Sequence, residues 1–227
     1  MSEIVSIPLG RTTAYLVRET RPILIDCGTP GNEVRIVNRM RGIRIDPRDL
    51  ALIVVTHVHS DHVGSLPAMK ALSEAPVAVH ALEAGALQTG RNAALVPNSL
   101  LARVATPFLK LQKPLPGVKP ELVIDGVFDL REYGVAGEIL PTPGHTLGSL
   151  SVVLEGGEAI VGDLVMGGLF RPRVPHVPMI ASDVDQVRAS VKALLDRGVT
   201  RFYAAHGGPF APEALRALLD AHSRCSS

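Results

Sequence analysis

The stretch LALIVVT, residues 50–56, runs straight into HVHSDHVGS, residues 57–65. The first part is a short, β-branched apolar run and reads as a buried strand. The second puts three histidines and an aspartate into six positions. Taking such groups out of water costs free energy unless a bound partner offsets it. In extended backbone, alternate side chains share a face, so His57 and His59 point the same way just past the strand end. Asp61 and His62 fall where the next helix begins and can face the same space from another side. Four ligands of borderline softness so close together suit Zn²⁺, and Mn²⁺, Fe²⁺ and Co²⁺ also fit.

Three more residues join them on the same logic. His145 lies in TPGHTLGS, where Pro and Gly fix a turn after the strand GEIL. Asp163 ends the strand EAIVG, and His206 ends RFYAA and precedes two glycines. All three sit at strand ends followed by small or turn residues, where polar groups of a β-rich fold converge on one rim. The ligands divide into His57, His59 and His145 for one ion and Asp61, His62 and His206 for another. Asp163 stands between, because a carboxylate can bridge two metals.

Around this cluster the chain has 227 residues, 46% hydrophobic and 20% charged, which suits one domain over 1–227 with a large core. Aromatics make up only 4% and Trp is absent, so Val, Leu, Ile and Ala must build that core. A net charge of +1 supplies no global field for nucleic acid. MSEIVSIPLG lacks the basic start and apolar stretch of a signal peptide, and no run approaches the ~18 apolar residues of a membrane span. The expectation is a cytoplasmic protein with no membrane partner and no nucleic-acid partner. Cys27 and Cys225 are too few for a disulfide scaffold and read as a buried thiol and a thiol in the C-terminal tail.

EIVSIPL, TTAYLVR and PILIDCG read as strands, and GNEVRIVNRMRG as a helix with Val34, Val37 and Met40 three apart. LALIVVT, VGSLPAMKALSE and PVAVH follow as strand, helix and strand. Residues 84–120 break the pattern: they hold Arg91, Arg103, Lys110, Lys113 and Lys119 and neither Asp nor Glu. Leu101, Val104, Phe108 and Leu111 recur at helical spacing, so this stretch reads as a basic, apolar helical insertion rather than a second domain. Strands ELVIDG, GEILPTP, LSVVLEG and EAIVGD come next. SDVDQVRASVKALLDRG is a helix capped by Ser182 or Asp183, VTRFYAAHG a strand, and PEALRALLDAHSR a closing helix. This weak two-fold repetition predicts an α+β architecture of two sheets face to face with helices outside.

HVHSDH, TPGHT, GD and AHGG, in this order, resemble the metallo-β-lactamase superfamily of metallo-hydrolases over roughly residues 4–210. The resemblance implies an αββα sandwich of two mixed sheets with metals at one edge, held by the seven residues above. It also assigns Asp26, in LIDCG, the support of the ligand loop, and places Thr12 or Thr13 where the family often has Asn. The implied chemistry is hydrolysis by a hydroxide shared between two divalent ions, most naturally zinc, with Asp61 orienting the nucleophile and passing its proton to the leaving group. β-Lactamases proper carry Cys or Ser where this chain has Asp163. TPGHT with GD and two glycines is similar to glyoxalase II, although GDLVMGGLFR lacks the Cys-Gly-Arg run usual there. Lactonases for acyl-homoserine lactones commonly have Tyr where Met166 stands. The expected substrate is a small thioester, ester or lactone. The alternative is a mononuclear iron persulfide dioxygenase using His57, His145 and Asp163, and phosphoester or nuclease chemistry ranks lower.

Other residues receive narrower expectations. Arg171, Arg173 and His176, on the loop after Asp163, are candidate substrate contacts. His80 and His222 read as surface residues, and Ser60 and Ser65 as turn or cap residues. The insertion suits either a cover for an anionic acyl substrate or a homodimer interface.

Overall fold

Alternation along the strands divides the apolar residues into three layers. In β2 (Thr13–Arg18), Ala14 and Leu16 face one side while Tyr15 and Val17 face the other. β3 (Pro22–Ile25), β4 (Leu52–Val54) and β5 (Val77–His80) repeat this, with Leu24, Ile53, Val77 and Val79 outward and Ile23, Ile25, Leu52, Val54 and Ala78 inward. The structure, a computed structural model, describes residues 2–98, 103, 114–168 and 171–223. β1 (Glu3–Pro8), β2, β3, β4, β5 and β6 (Leu122–Ile124) form the first sheet in that order. The first three strands pair antiparallel and β3 to β6 pair parallel.

The second sheet runs β13-β10-β9-β8-β7, from β7 (Phe128–Asp129), β8 (Gly137–Pro141), β9 (Leu150–Leu154), β10 (Glu158–Gly162) and β13 (Arg201–Ala204). Its inward residues, among them Ile139, Leu150, Val152 and Ile160, close the central layer against the first sheet. A two-stranded hairpin, β11 (Met166–Gly167) with β12 (Pro175–His176), leaves the end of β10. The expected sandwich is therefore present, as two mixed sheets with helices on both outer faces.

Helices α1 (Glu33–Gly42), α2 (Ser60–Val63), α3 (Leu66–Ser73) and α4 (Ala84–Thr89) belong to the side of the first sheet. Ile36, Val37, Met40, Leu66, Met69 and Leu87 fill that outer layer. α5 (Val184–Asp196) and α6 (Pro212–Ser223) cover the second sheet through Val187, Val191, Leu194, Leu195 and Leu215. Three local expectations change. Val34 is 59% exposed and Ile36 takes its place on the buried face of α1, because that stripe follows 36, 37 and 40. VGSLPAMKALSE is split between α2 and α3, and the Ser65 hydroxyl at the break accepts the N–H groups of Asn32 and Glu33 at the start of α1. His80 is buried, its Nδ1 accepting from Leu82 N–H at 3.1 Å, rather than lying on the surface.

Of the insertion, α4, the irregular segment 91–98, residue 103 and residues 114–120 are described, with Arg91, Arg103 and Lys119 exposed. The stripe Leu101, Val104, Phe108 and Leu111, together with Lys110 and Lys113, lies outside the described residues, as do Cys225 and the side chain of His222. Cys27 is fully buried, and burial pushes its thiol well above the usual value. Among the described residues no helix is long and apolar enough to cross a membrane.

Asp183 caps α5, accepting the N–H groups of Asp185 and Gln186, both at 2.9 Å. Its own N–H donates to Gly144 C=O and that of Ser182 to His145 C=O, so the start of α5 is tied to the TPGHT turn. Asp183→Ala is expected to cost about 1 kcal/mol, read as a lower urea midpoint at unchanged slope.

Candidate metal centre

Every candidate ligand emerges from the same end of its sheet. β4 and its parallel neighbours in the first sheet end near Asp26 and His57. In the second sheet β8, β10 and β13 run in one direction, since β9 is antiparallel to both β8 and β10 and β13 is parallel to β10. His145, Asp163 and His206 follow those three ends. Backbone bonds close the two edges together, from Leu150 N–H to Thr56 C=O at 2.8 Å and from Thr13 N–H to Ala205 C=O at 2.8 Å. Gly162, just before Asp163, has φ +53°, and a Cβ there would lie 2.6 Å from Thr56 Oγ1. Glycine takes that backbone without the cost a side chain would carry, and it lacks the Cβ for which that approach leaves no room.

The seven residues singled out in the sequence converge on one space. His145 Nε2 lies 3.1 Å from His57 Nε2 and 3.1 Å from His59 Nδ1. His62 Nε2 is 3.4 Å from Asp163 Oδ1, and His206 Nε2 is 3.5 Å from Asp61 Oδ2 and 3.4 Å from Asp163 Oδ2. Potential ligand atoms of three groups, His57 with His59 and His145, His57 with His62 and Asp163, and Asp61 with His62 and His206, each lie within 4.8 Å of one another. Two atoms bound about 2.0–2.1 Å from one tetrahedral ion are about 3.3–3.4 Å apart, so this spacing suits shared cations.

Proton positions support the same reading. His145 Nδ1 donates to Ile180 C=O at 2.7 Å, and His62 Nδ1 donates to Asp26 Oδ2 at 2.8 Å. Thr56 Oγ1 donates to Asp26 Oδ2 at 2.7 Å, which leaves its lone pair for His57 Nδ1 at 3.1 Å. Each of these bonds takes up Nδ1 on the side away from the cluster and turns Nε2 toward it, the nitrogen left to bind a metal once it carries no proton. His62 Nε2, His59 Nε2 and Asp163 Oδ1 are buried without hydrogen-bond partners among the described residues. A cluster of lone pairs and orphaned buried atoms of this kind fits divalent cations.

The two halves differ in charge. Burial, reinforced by neighbouring imidazoles, holds His57 well below the usual histidine value and His59 down at about 3. Burial also lowers His145. Burial opposes protonation of His62 and His206 too, but Asp163 and other carboxylates outweigh it, holding His62 well above the ordinary value and His206 up at about 10. Burial acts upward on Asp163 and Asp61, yet the charges of and hydrogen bonds to the neighbouring histidines hold Asp163 well below the carboxylate range and Asp61 at about 2.

Asp26 supports the ligand loop from behind. It adopts φ +60° and also accepts Thr56 N–H at 2.8 Å. The proton acceptors beyond the ligands were not readable in the sequence: Thr56, Ile180 C=O and a buried Glu83 that meets both ligand loops. Asn92 Oδ1 accepts Ser60 N–H at 2.7 Å, and Ala93 N–H donates to Val58 C=O at 2.6 Å, so segment 91–98 straps the HVHSDH loop. Arg171, Arg173 and His176 are exposed on the hairpin, which Gly167 N–H ties to His206 C=O at 2.6 Å.

A sequence profile described as the metallo-beta-lactamase superfamily matches residues 7–206. The chain is 30% identical over 210 residues to a probable metallo-hydrolase of Streptococcus pyogenes serotype M6, covering 87% of this chain and 79% of that one. It is 29% identical over 201 residues to a probable metallo-hydrolase of Methanocaldococcus jannaschii, covering 86% and 87%. A metallo-beta-lactamase family protein from Thermus thermophilus superposes with a TM-score of 0.69 at 20% identity, covering 98% of this chain and 79% of that one, and shares its fold.

Asp26→Ala removes the acceptor of His62 and breaks the relay to His57. It is expected to weaken zinc binding by about 10–100-fold, measured by competition with a chromophoric chelator.

Proposed function

The chain belongs to the metallo-beta-lactamase superfamily, and from that premise we propose that it is a dinuclear metal-dependent hydrolase of small thioesters, esters or lactones. The observation that carries this reading is the full set of seven converging side chains, with bare imidazole nitrogens aimed at one another across 3.1 Å. His57, His59 and His145 would hold one ion and Asp61, His62 and His206 the other, with Asp163 reaching both groups. Nitrogen and carboxylate donors of this kind suit Zn²⁺ best, with Mn²⁺ and Fe²⁺ also compatible. Such a metal pair lowers the pKa of a bound water from 15.7 toward about 7 and withdraws charge from a carbonyl oxygen.

The protein's own part is positioning and proton handling. Asp61 is partly exposed at the mouth of the cluster, and its carboxylate is ionised at neutral pH. It is placed to accept a hydrogen bond from the nucleophile and to relay the released proton to the leaving group. Asp163, His57, His59, His62 and His145 are buried, which strengthens their interactions, and His206 is partly exposed. Among the described residues, a cavity of about 910 Å³ lies against α2, lined by Ser60, Val63, Arg91, Asn92, Leu95 and Leu115 with others. A cavity of that size with apolar walls and few polar groups suits a small organic substrate. Arg91 in its lining, and Arg171 and Arg173 on the exposed hairpin that follows Asp163, suit an anionic group on that substrate.

Elemental analysis of protein expressed without added metal tests the reading. The expected result is two equivalents of zinc or manganese per chain, with thioester or lactone hydrolysis lost on chelation and restored by either metal. Asp61→Ala should lower kcat by at least about 10²-fold. One equivalent of iron, with oxygen consumed in the presence of a persulfide, would replace this reading by the dioxygenase.

A further inference from the structure

Glu83 lies three residues past the end of β5, in a short turn of 3₁₀ helix, and is only 3% exposed. A carboxylate buried that deeply is costly unless donors surround it. Here they do. Its Oε2 accepts the N–H of Val58, the residue between His57 and His59. Its Oε1 accepts the hydroxyl of Thr146, the residue after His145. The N–H of Gly148 is a third donor. Thr146 Oγ1 is 2.8 Å from Ser149 Oγ, so the Ser149 hydroxyl can donate to Thr146 while Thr146 donates to Glu83.

The placement of these donors is selective. Val58 stands between His57 and His59 and Thr146 next to His145, the three rings whose nitrogens meet at 3.1 Å; of the other group, His62 reaches Glu83 only through its charge. His206 pairs with both Asp61 and Asp163, and no contact among the described residues joins Asp61 or His206 to Glu83. Gly148 is packed so closely against it that a Cβ there would sit 2.6 Å from Glu83 Cγ. Asp26 anchors His62 and, through Thr56, His57, but among the described residues it bonds neither His59 nor the His145 loop.

We propose that Glu83 is the positioning residue of the three-histidine group: one buried carboxylate clamps the HVHSDH and TPGHT loops together and sets the spacing at which His57, His59 and His145 receive a divalent cation. This rests on the dinuclear reading above. The clamp acts on geometry through the Val58 and Thr146 bonds, and its charge adds attraction for the cation.

Two variants separate these contributions. Glu83→Ala removes the clamp. Glu83→Gln keeps its shape, since the amide oxygen can accept Val58 N–H while the amide nitrogen donates to Thr146 Oγ1, so it removes the charge and keeps the two loop contacts. Zinc affinity is measured by chelator competition in two parent backgrounds. His206→Ala leaves the three-histidine group intact, and His59→Ala leaves the Asp61–His62–His206 group intact. In the His206→Ala background, Glu83→Ala should weaken zinc by about 10–100-fold and Glu83→Gln by less. The cobalt-substituted proteins should show the same order in their visible absorption bands. In the His59→Ala background both variants should stay within about twofold of the parent.

Equal losses in the two backgrounds would make Glu83 a general fold residue and overturn the proposal. So would unchanged affinity for Glu83→Ala in the His206→Ala background. If Glu83→Ala does not fold, Glu83→Gln and Thr146→Val carry the same comparison. A parent that binds no divalent ion in either background overturns the dinuclear reading itself, and the clamp with it.

Discussion

The rim of this molecule depends on one carboxylate held in a backbone shape that carboxylates seldom adopt. Asp26 sits at φ +60°, a conformation that costs a non-glycine residue roughly 1–3 kcal/mol. Three donors offset that cost: Thr56 N–H, Thr56 Oγ1–H and His62 Nδ1–H. The turned backbone lets the side chain reach back across the end of β4 instead of following β3 into solvent. Without it His62 could present either nitrogen to the cluster, and Thr56 could point its hydroxyl at His57 as donor rather than acceptor. The orientations of two candidate ligands on one loop, His57 and His62, are thus set by a residue 30 positions or more away in sequence.

The sandwich explains why so many polar groups can meet at one place. Strands that run in the same direction end at the same edge, and each sheet here contributes a set of such ends. The first sheet brings Asp26, the HVHSDH loop and Glu83 from β3, β4 and β5, which are adjacent and parallel. The second brings His145, Asp163 and His206 from β8, β10 and β13. The central apolar layer, from Leu52 and Val54 to Val152 and Ile160, sets the separation of the sheets behind them. The close approach of Gly162 to Thr56 shows how near the edges come.

How much of this could be read in the sequence follows from where the signals lie. The candidate ligands are legible because four of them are packed into six residues and the others follow apolar strand runs. The layers are legible because burial alternates along short strands with period two, and α5 because a stripe and a cap agree. For α1 the sequence reading is off by one face: Val34, Val37 and Met40 share a period of three, but the helix buries Ile36 with Val37 and Met40. His80 reads as exposed because nothing local shows that its ring folds back onto Leu82 N–H. Thr56 and Glu83 carry no pattern at all. A threonine at a strand end and a glutamate in a turn look like ordinary solvated residues until the partner loop, 63 positions away in the case of Thr146, is brought against them.

Those unpatterned residues nevertheless obey a rule that the parallel sheet imposes. Neighbouring strands lie about 4.8 Å apart, so whatever follows β3 and β5 stands on either side of whatever follows β4. The loop after β4 is the one crowded with ligands, and it exposes backbone N–H groups that helix α2, only four residues long, cannot satisfy. A carboxylate on each flank answers both needs. Asp26 takes Thr56 N–H and Glu83 takes Val58 N–H, one on each side of His57. Each then uses its second oxygen on a group that aims a more distant ligand, His62 in one case and the His145 loop in the other. Neither carboxylate faces the cluster, yet both place negative charge behind the histidines that do. A rim of imidazoles and carboxylates built this way suits a dication, because the hydrogen bonds that fix the geometry also place negative charge behind the rings.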